Sequence, residues 1–293
     1  MTENQELTSY PCPVCAEKST QILHRVKGFN IVRCRSCSMV YVNPRIPNNK
    51  LYTIYEDKYF HSADSFYEDY ELTAALRVKT FNKWYLEICE YLKTTSGTAL
   101  DIGCAAGYFL QVLQENGWNT EGIELEKEMR AHVIEKGFTV HGQPLEYFSS
   151  KKKYTLITLF DVIEHLPKLH DNIEKLTRLL DNNGSIALVT PDYNSFQRKL
   201  FGKRWFQLKP QEHIQYFTLE TLRKAVEPHG LSIVHHSVSG QYADTSFLHN
   251  RLKRYGFKRI ARIFNACISL FGLSKKSWYA DTGSMLIILQ KKG

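Results

Sequence analysis

A turn built from small residues and flanked by carboxylates is the part of this sequence best suited to binding a ligand. Residues 100–110 (LDIGCAAGYFL) join a strand-like run to a helical run through Gly103 and Gly107. Glycine permits positive φ values and a close ligand approach, and the helix that follows directs unpaired N–H groups at the turn. Glu124 ends a second predicted strand, where a carboxylate can accept both hydroxyls of a ribose. The spacing predicts a nucleotide-like ligand.

Two classes of enzyme use such a pairing, the dinucleotide oxidoreductases and the enzymes with an adenosyl cofactor. The stretch resembles the first motif of class I S-adenosylmethionine-dependent methyltransferases, acidic-x-Gly-x-Gly-x-Gly. Asp101, Gly103 and Gly107 match that motif, whereas Ala105 stands at its middle glycine. A dehydrogenase is disfavoured because the turn lacks the G-x-G-x-x-G spacing.

The resemblance implies S-adenosylmethionine as the cofactor. In that family Gly103, Ala105 and Gly107 would contact it through the backbone, Glu124 would bind its ribose, and Asp101 would orient the loop and the amino-acid end. Residues 143–145 match positions that flank the adenine. The cofactor-binding residues that the resemblance implies are Asp101, Gly103, Ala105, Gly107, Tyr108, Glu124, Leu125, Gln143, Leu145, Phe160 and Asp161.

Four of the seven cysteines form a second chemical group, with a pair at Cys12 and Cys15, an 18-residue spacer, and a pair at Cys34 and Cys37. In a chain without an apparent secretory signal this spacing favours zinc over disulfides. Cysteine fills all four ligand positions, so the ion should be structural and not catalytic. A small zinc ribbon is predicted, folding because it binds metal.

From residue 98 onward, strands and helices alternate, which predicts a mostly parallel sheet covered on both faces. The predicted fold class is α/β, a Rossmann-like seven-stranded methyltransferase sheet preceded by the zinc ribbon. The resemblance implies that the seventh strand runs antiparallel. Predicted helices span residues 74–93, 108–117, 127–136, 168–180 and 219–229, and Thr218 is predicted to cap the last of them. A buried strand is predicted at residues 154–160, a loop at residues 190–210, and the two final strands at residues 231–238 and 284–290.

Two further motifs resemble small-molecule O-methyltransferases related to the ubiquinone-biosynthesis group. They are residues 161–166 (DVIEHL), after a buried strand, and residues 212–217 (EHIQYF). If the acceptor is a hydroxyl, a base must remove its proton, and His165 and His213 are the candidates. Each histidine could instead make only a structural hydrogen bond. Glu164 could orient His165 or act as a charge at a helix N-terminus.

Three regions are expected along the chain. They are the zinc ribbon (residues 1–45), a helical and aromatic lid or connector (46–95), and the methyltransferase domain (96–293) with a basic helical insertion (241–281). Composition does not separate a lid over the site from a buttress that packs the ribbon onto the domain.

The net charge of +8 comes from one segment, because residues 245–280 hold eight basic residues and no acidic ones. A helical cover with a solvated charged side explains this pattern. The alternative is attraction to phosphate, on an anionic membrane reached through residues 247–276, on a lipid-linked or nucleotide-linked substrate, or on RNA.

The first 25 residues are polar, and the longest apolar run, residues 263–273, is too short to span a bilayer. A cytoplasmic location is therefore expected. The leading functional hypothesis is methyl transfer to an oxygen of a small-molecule, glycan or lipid-linked acceptor. The alternatives are an RNA methyltransferase, because ribosomal-RNA guanine methyltransferases also carry a cysteine-rich zinc module before this fold, and a non-catalytic scaffold.

Overall fold

The computed structural model describes residues 6–55, 74–245, 249, 259, 262 and 277–292. Eleven strands are formed by these residues. In chain order they are β1 (Thr20–Val26), β2 (Phe29–Cys34), β3 (Val40–Val42), β4 (Gly97–Ile102), β5 (Trp118–Ile123), β6 (Thr139–His141), β7 (Tyr154–Phe160), β8 (Leu180–Pro191), β9 (Gln215–Tyr216), β10 (Leu231–Asp244) and β11 (Ser277–Lys291).

The helices of the described residues are mostly short. They are α1 (Asn48–Leu51), α2 (Ala74–Cys89), α3 (Tyr108–Glu115), α4 (Lys127–Glu135), α5 (Leu169–Leu179), α6 (Phe196–Phe201) and α7 (Leu219–Val226). Single 3-10 turns cover Tyr52–Tyr55, Ile163–His165, Gly202–Arg204 and Glu227–His229. Thr218 caps α7 with its hydroxyl and Thr221 returns the bond, a reciprocal pair that confirms the predicted cap.

Seven strands form the main sheet in the order β10-β11-β8-β7-β4-β5-β6. β4, β5, β6, β7 and β8 are parallel to one another, whereas β11 is antiparallel to both β8 and β10. The predicted α/β class, the seven strands and the antiparallel final strand are therefore confirmed. Parallel strands bring their carboxyl ends to one edge, so the residues after β4, β5 and β7 meet there.

The sheet is buried on both faces because its strands alternate apolar side chains between two layers. Ile157 and Leu159 of β7 pack with α5 and α7 on one face, while Leu156 packs with α2 and α3 on the other. Each side chain of this size contributes about 1.5–3 kcal/mol when it is fully buried. On the second face, Trp84 and Ile88 of α2 are buried against the sheet.

A second sheet lies at the N-terminal side, in the order β1-β2-β3-β9. Its first three strands come from the cysteine-containing segment, and its last strand, β9, comes from the region between β8 and α7. Val40 pairs with Tyr216 and Tyr41 with Gln215. One face of this sheet, with Val32, Met39 and Tyr41, joins the same buried cluster as α5 and α7. The other face, with Ile31, Val40 and Val42, packs in a separate cluster with Trp205 and Tyr216.

Several predicted boundaries differ from the structure. The segment after β8, predicted as a loop, contains α6. β10 and β11 are longer than predicted and pair as far as Asp244 with Ser277. The ends of the predicted helical insertion at 241–281 are therefore strand, and most of the remainder lies outside the described residues. The aromatic residues at positions 59–70 of the predicted lid also lie outside them.

None of the described helices is both long enough and apolar enough to cross a membrane.

Candidate functional site

The glycine turn folds back onto the end of β5. Backbone N–H groups of Gly103 and Cys104 donate to the Ile123 carbonyl at 2.8 and 3.1 Å, and that of Gly107 donates to the Cys104 carbonyl at 2.9 Å. Gly103 and Gly107 have φ values of +73° and +76°, which favour glycine. Ala105 also has a positive φ of 46°. Its methyl group is thus accommodated in the left-handed conformation that suits the glycine of the motif.

Glu124 lies against this turn. One carboxylate oxygen accepts the N–H of Ala105 at 2.9 Å and the other accepts the N–H of Glu126 at 2.9 Å. The residue is 8% exposed, and burial raises the pKa of its carboxyl. A carboxylate oxygen has two lone pairs, so each oxygen retains capacity to accept a ligand hydroxyl. The acidic residue predicted from spacing therefore lies at the loop, where it also fixes the backbone of Ala105.

Asp101, the acidic residue that opens the motif, is buried at the end of β4. Its carboxylate accepts the hydroxyl of Thr158 on the neighbouring β7 at 2.6 Å. Burial, opposed by this bond and assisted by the nearby charge of Glu124, raises the pKa of Asp101 to about 7. Asp101 thus links the two strands whose carboxyl ends carry the site.

The other residues proposed for the cofactor lie in different surroundings. Tyr108 begins α3, and its ring lies 5.2 Å from the ammonium of Lys136. Leu125 and Leu145 belong to the core beneath the loop, whereas Gln143 is exposed. These positions surround the ends of β4, β5 and β6.

Phe160 and Asp161 follow one another at the end of β7 but point to different environments. Phe160 packs among aromatic rings, with centroids at 4.8 Å from Phe109 and 5.0 Å from Trp84. Asp161 is exposed, has a positive φ of 56° and donates its N–H to the Val189 carbonyl at 2.8 Å. A single residue therefore turns the chain from the aromatic cluster toward the mouth of the site.

The DVIEHL segment continues this turn and contacts the glycine loop. A Cβ atom added to Gly103 would lie 2.6 Å from a methyl carbon of Val162. Glu164 is 1% exposed, and one of its carboxylate oxygens accepts the Thr190 hydroxyl at 3.0 Å. Its other oxygen has no hydrogen-bond partner among the described residues. Burial raises the pKa of this carboxyl well above its ordinary value.

His165 and His213 meet beside Glu164. Their ring centroids are 4.7 Å apart with the planes nearly perpendicular, at 86°. One side-chain atom from each of the three residues lies within 4.8 Å of the other two. The His165 side chain is 14% exposed and His213 is 4% exposed. The structure therefore joins the two histidines that the sequence offered as separate candidates.

Both histidines are held as neutral bases. His165 Nδ1 donates to the Glu212 carbonyl at 3.0 Å. Burial lowers the pKa of His165 to about 4, and burial together with the neighbouring His165 lowers that of His213 well below its usual value. Nδ1 of His213 has no hydrogen-bond partner in the described part of the chain. A buried polar atom without a partner is costly, so a ligand that donates to it gains affinity.

Two hydrogen bonds join the two motifs, one between backbone groups and one from a side chain. Ile214 donates its N–H to the Glu164 carbonyl at 3.0 Å, and the Gln215 side-chain amide donates to the Leu166 carbonyl at 2.7 Å. These bonds hold the EHIQYF segment against the turn formed by the DVIEHL segment. They explain why histidines far apart in sequence share one site.

The cysteine cluster is a separate site. Its four sulfur atoms lie within 4.8 Å of one another, with Cys12 and Cys37 at 3.4 Å and Cys15 and Cys34 at 3.5 Å. A zinc–sulfur distance of about 2.3 Å in a tetrahedron requires sulfur separations of about 3.8 Å. Cys12, Cys34 and Cys37 are buried and Cys15 is exposed. The donor set and its spacing therefore fit one zinc ion.

Two residues of the site were not anticipated from the sequence. Thr158 and Thr190 donate to the buried carboxyls of Asp101 and Glu164. Threonine is common in strands, so its type carried no signal. The two threonines could have been identified only from their positions near the carboxyl ends of β7 and β8.

Comparison with known proteins agrees with this architecture. A family model described as a methyltransferase domain matches residues 76–236, more than half of the chain. A ubiquinone biosynthesis O-methyltransferase from Haemophilus ducreyi is 26% identical over 103 residues, covering 31% of this chain and 44% of that protein. One from Bordetella avium is 25% identical over 120 residues, covering 38% and 49%. The matches thus span about half the length of these relatives.

Solved structures show the same fold. An S-adenosylmethionine-dependent methyltransferase from Clostridium acetobutylicum superposes with a TM-score of 0.52 at 15% identity, covering 77% of this chain and 96% of that one. A possible histamine N-methyltransferase from Thermotoga maritima gives 0.50 at 16% identity, covering 78% and 94%. The seven-stranded sheet, the family match and these neighbours lead to one conclusion: the chain belongs to the methyltransferase domain family, and its fold is that of S-adenosylmethionine-dependent methyltransferases.

Proposed function

We propose that this protein uses S-adenosylmethionine to methylate a hydroxyl group of a small-molecule, glycan or lipid-linked acceptor. The observation that carries the proposal is the histidine pair beside Glu164, on segments of which one contacts the glycine loop through Val162. A buried base next to a cofactor loop suits removal of a hydroxyl proton. The partial likeness to ubiquinone biosynthesis O-methyltransferases supports the same acceptor class.

The residues present fit the cofactor. Glu124 has spare acceptor capacity at the loop, and Gly103 and Gly107 leave the backbone open to close approach. Asp101 would fix the loop through Thr158. The side chains of Tyr108, Leu125, Gln143, Leu145, Phe160 and Asp161 would line the cofactor site around these residues. When bound, S-adenosylmethionine supplies a methyl group whose carbon–sulfur bond breaks as the acceptor oxygen forms a carbon–oxygen bond.

On the acceptor side, the work of the protein is to receive one proton and to exclude water. The acceptor hydroxyl would donate to a histidine nitrogen, and His213 Nδ1 is the atom without a partner among the described residues. The proton then passes from the hydroxyl to that imidazole. Glu164 lies in the same cluster, with one carboxyl oxygen 4.0 Å from His165 Nε2, and would orient the second histidine beside the base.

We further propose that Cys12, Cys15, Cys34 and Cys37 hold one structural zinc ion and that the cysteine-containing segment forms a zinc ribbon. All four donors are thiol sulfurs, which leaves no coordination position for a substrate. The ribbon at 1–45, the connector at 46–95 and the methyltransferase domain at 96–293 stay the proposed division of the chain. The ribbon supports the domain through the sheet that β9 shares with it.

The proposed function is tested with purified protein, S-adenosylmethionine labelled in its methyl group, and extract from the cells of origin. RNA, protein, lipid and small-metabolite fractions are separated after incubation. Label in the metabolite or lipid fraction, stable to the mild base that cleaves methyl esters, is expected. Label confined to RNA would overturn the acceptor class and favour the ribosomal-RNA alternative.

A further inference from the structure

The last strand in the sheet of the cysteine-containing segment is β9, whose two residues come directly after His213 and Ile214 in the chain. β9 pairs antiparallel with β3, so that Val40 faces Tyr216 and Tyr41 faces Gln215. Gln215 and Tyr216 are buried. The strand next to the histidine site is therefore the outer strand of the ribbon sheet.

The backbone of Ile214 makes hydrogen bonds to two different parts of the molecule. The Ile214 carbonyl accepts the N–H of Val42 in β3 at 3.0 Å, while its N–H donates to the Glu164 carbonyl at 3.0 Å. The residue after His213 thus lies between the ribbon and the turn that carries Glu164 and His165. A shift of β3 would move His213 relative to His165.

The position of β3 depends on the second cysteine pair. Cys34 is the last residue of β2 and donates its N–H to the Met39 carbonyl at 2.8 Å, while Ser38 donates to the Cys34 carbonyl at 3.1 Å. This turn between Cys34 and Val40 contains Cys37, whose sulfur lies in the cluster. A metal ion at the cysteines would fix the turn that leads into β3.

The first cysteine pair makes an independent contact with the same region. His170, in the first turn of α5, donates Nε2–H to the carbonyl of Val14, which lies between Cys12 and Cys15, at 3.0 Å. Its Nδ1 lies 2.8 Å from Nε2 of His229, so the latter nitrogen donates. Both cysteine turns are thereby bonded to elements that flank the histidine pair.

The glycine loop proposed to bind the cofactor makes its hydrogen bonds to other parts of the molecule than the histidine segments do. The described hydrogen bonds of Gly103, Cys104, Ala105 and Gly107 run to the end of β5, to Glu124, to Gln111 of α3 and within the loop. We propose that the metal-loaded cysteine cluster positions His213 against His165 through β3 and β9, so that metal occupancy governs the acceptor side of the site and not cofactor binding. Val42 is the positioning residue at this junction. The inference deepens the proposed function and rests on it.

The test compares the full chain with and without metal, after chelation and after zinc is added back. Amide exchange of the peptide spanning 211–218 is expected to accelerate about tenfold without metal and to recover with zinc. Imidazole nitrogen resonances of His165 and His213, assigned with H165Q and H213Q, should shift with metal occupancy. The dissociation constant for S-adenosylmethionine should stay within about twofold.

A second variant separates positioning from ribbon folding. Val42→Pro removes the N–H that reaches Ile214 and retains all four cysteines. The Val42→Pro variant should keep its zinc. Amide exchange of residues 211–218 should nevertheless be as fast as in the metal-free wild type, and the imidazole nitrogen resonances of His165 and His213 should shift from their wild-type positions. Ile22→Ala, on exposed β1, is the matched control and should change none of these readouts.

The proposal is overturned if exchange at 211–218 is the same with and without metal, if cofactor affinity falls in parallel with the loss of metal, or if the native protein carries no metal at its cysteines. None of these readouts needs an acceptor. The proposed methyl transfer to a hydroxyl can therefore fail in the labelling experiment while this coupling holds, and the reverse also applies.

Discussion

The rings of His165 and His213 lie 4.7 Å apart and nearly perpendicular beside Glu164, with His213 buried and His165 partly buried. This relationship joins the two sequence motifs that most resemble small-molecule O-methyltransferases. It arises because Ile214 donates its N–H to the Glu164 carbonyl, which ties the two segments together. The site thus has a cofactor side built on β4 and β5 and an acceptor side built on these two segments.

Replacing either histidine should impair the reaction and spare cofactor binding. H165Q and H213Q keep a hydrogen-bonding side chain but lose a base, and a positioned base typically contributes about 10²–10⁴-fold to a rate. We expect kcat to fall in that range with the dissociation constant for S-adenosylmethionine unchanged. His236→Gln, an exposed position on β10, is the control. Full activity in both site variants would remove the base from the mechanism.

The pH dependence of activity should reflect a base that is neutral at physiological pH. Burial lowers the pKa of His165 to about 4 and lowers the pKa of His213, the proposed base, well below its usual value. The unprotonated imidazoles that can accept a proton are present above these pKa values, so kcat should be level from about pH 8 to pH 6 and fall only as the pH approaches 4 or lower. A midpoint near 6.5, the ordinary pKa of histidine, would contradict the buried pair.

Asp101 should make the folded protein less stable as the pH rises, whereas a carboxyl in an ion pair makes it more stable. Its folded pKa, about 7, lies above the ordinary value of 3.8, so the folded protein holds a proton that the unfolded chain has lost. The stability that this proton provides is lost as the pH rises through 7. Asp101→Asn keeps an acceptor for Thr158 and should gain about 2 kcal/mol relative to wild type between pH 5 and pH 8.

That prediction is checked by denaturant unfolding of both proteins without cofactor at the two pH values. Thr155→Ala, which alters a hydroxyl of β7 outside this bond, controls for a general effect of removing a polar group. If the free-energy difference between Asp101→Asn and wild type is the same at pH 5 and pH 8, the carboxyl is not protonated in the folded protein.

Native protein should contain about one zinc ion per chain. Cys12→Ser and Cys37→Ser each remove one of four ligands and should lower both the zinc content and the melting temperature, because binding to a structural site contributes directly to folding. Cys89→Ser, a half-buried cysteine of α2, should leave the zinc content unchanged. Elemental analysis with calorimetry gives both quantities. Metal-free native protein would refute the zinc site.

Local patterns predicted much of the fold. The buried strand at Tyr154–Phe160 was identified with its bounds, because a short apolar run ended at a charged residue and began after a lysine cluster. Thr218 was identified as a cap from its residue type before an amphipathic helix. The proximity of Glu124 to the glycine loop also followed from spacing, since parallel strands end at a common edge.

Nonlocal pairing was not predictable in the same way. β9 has two residues and no periodic signal, and its partner β3 lies far earlier in the chain. The extended pairing of β10 with β11 was missed because Gly240 interrupts the apolar pattern, although the register shifts there and the strands continue. The proximity of His165 and His213 depends on such nonlocal contacts. The sequence therefore indicated two separate candidate bases, and only the structure shows that they form one cluster.

The central claim is that residues 101–107 and Glu124 bind S-adenosylmethionine, and calorimetric titration of the cofactor tests it most directly. Glu124 also holds the Ala105 N–H, so Glu124→Ala removes both a ribose acceptor and a support of the loop. Hydrogen bonds to a charged group contribute about 1.5–3 kcal/mol, which corresponds to roughly tenfold or more in affinity. Glu128→Ala, an exposed carboxylate on α4, is the matched control.

We expect one molecule of S-adenosylmethionine to bind each wild-type chain, the Glu124→Ala variant to bind at least about tenfold more weakly, and Glu128→Ala to bind as wild type does. The absence of cofactor binding by the wild-type protein, or equal affinity in wild type and Glu124→Ala, would contradict the assignment of this loop.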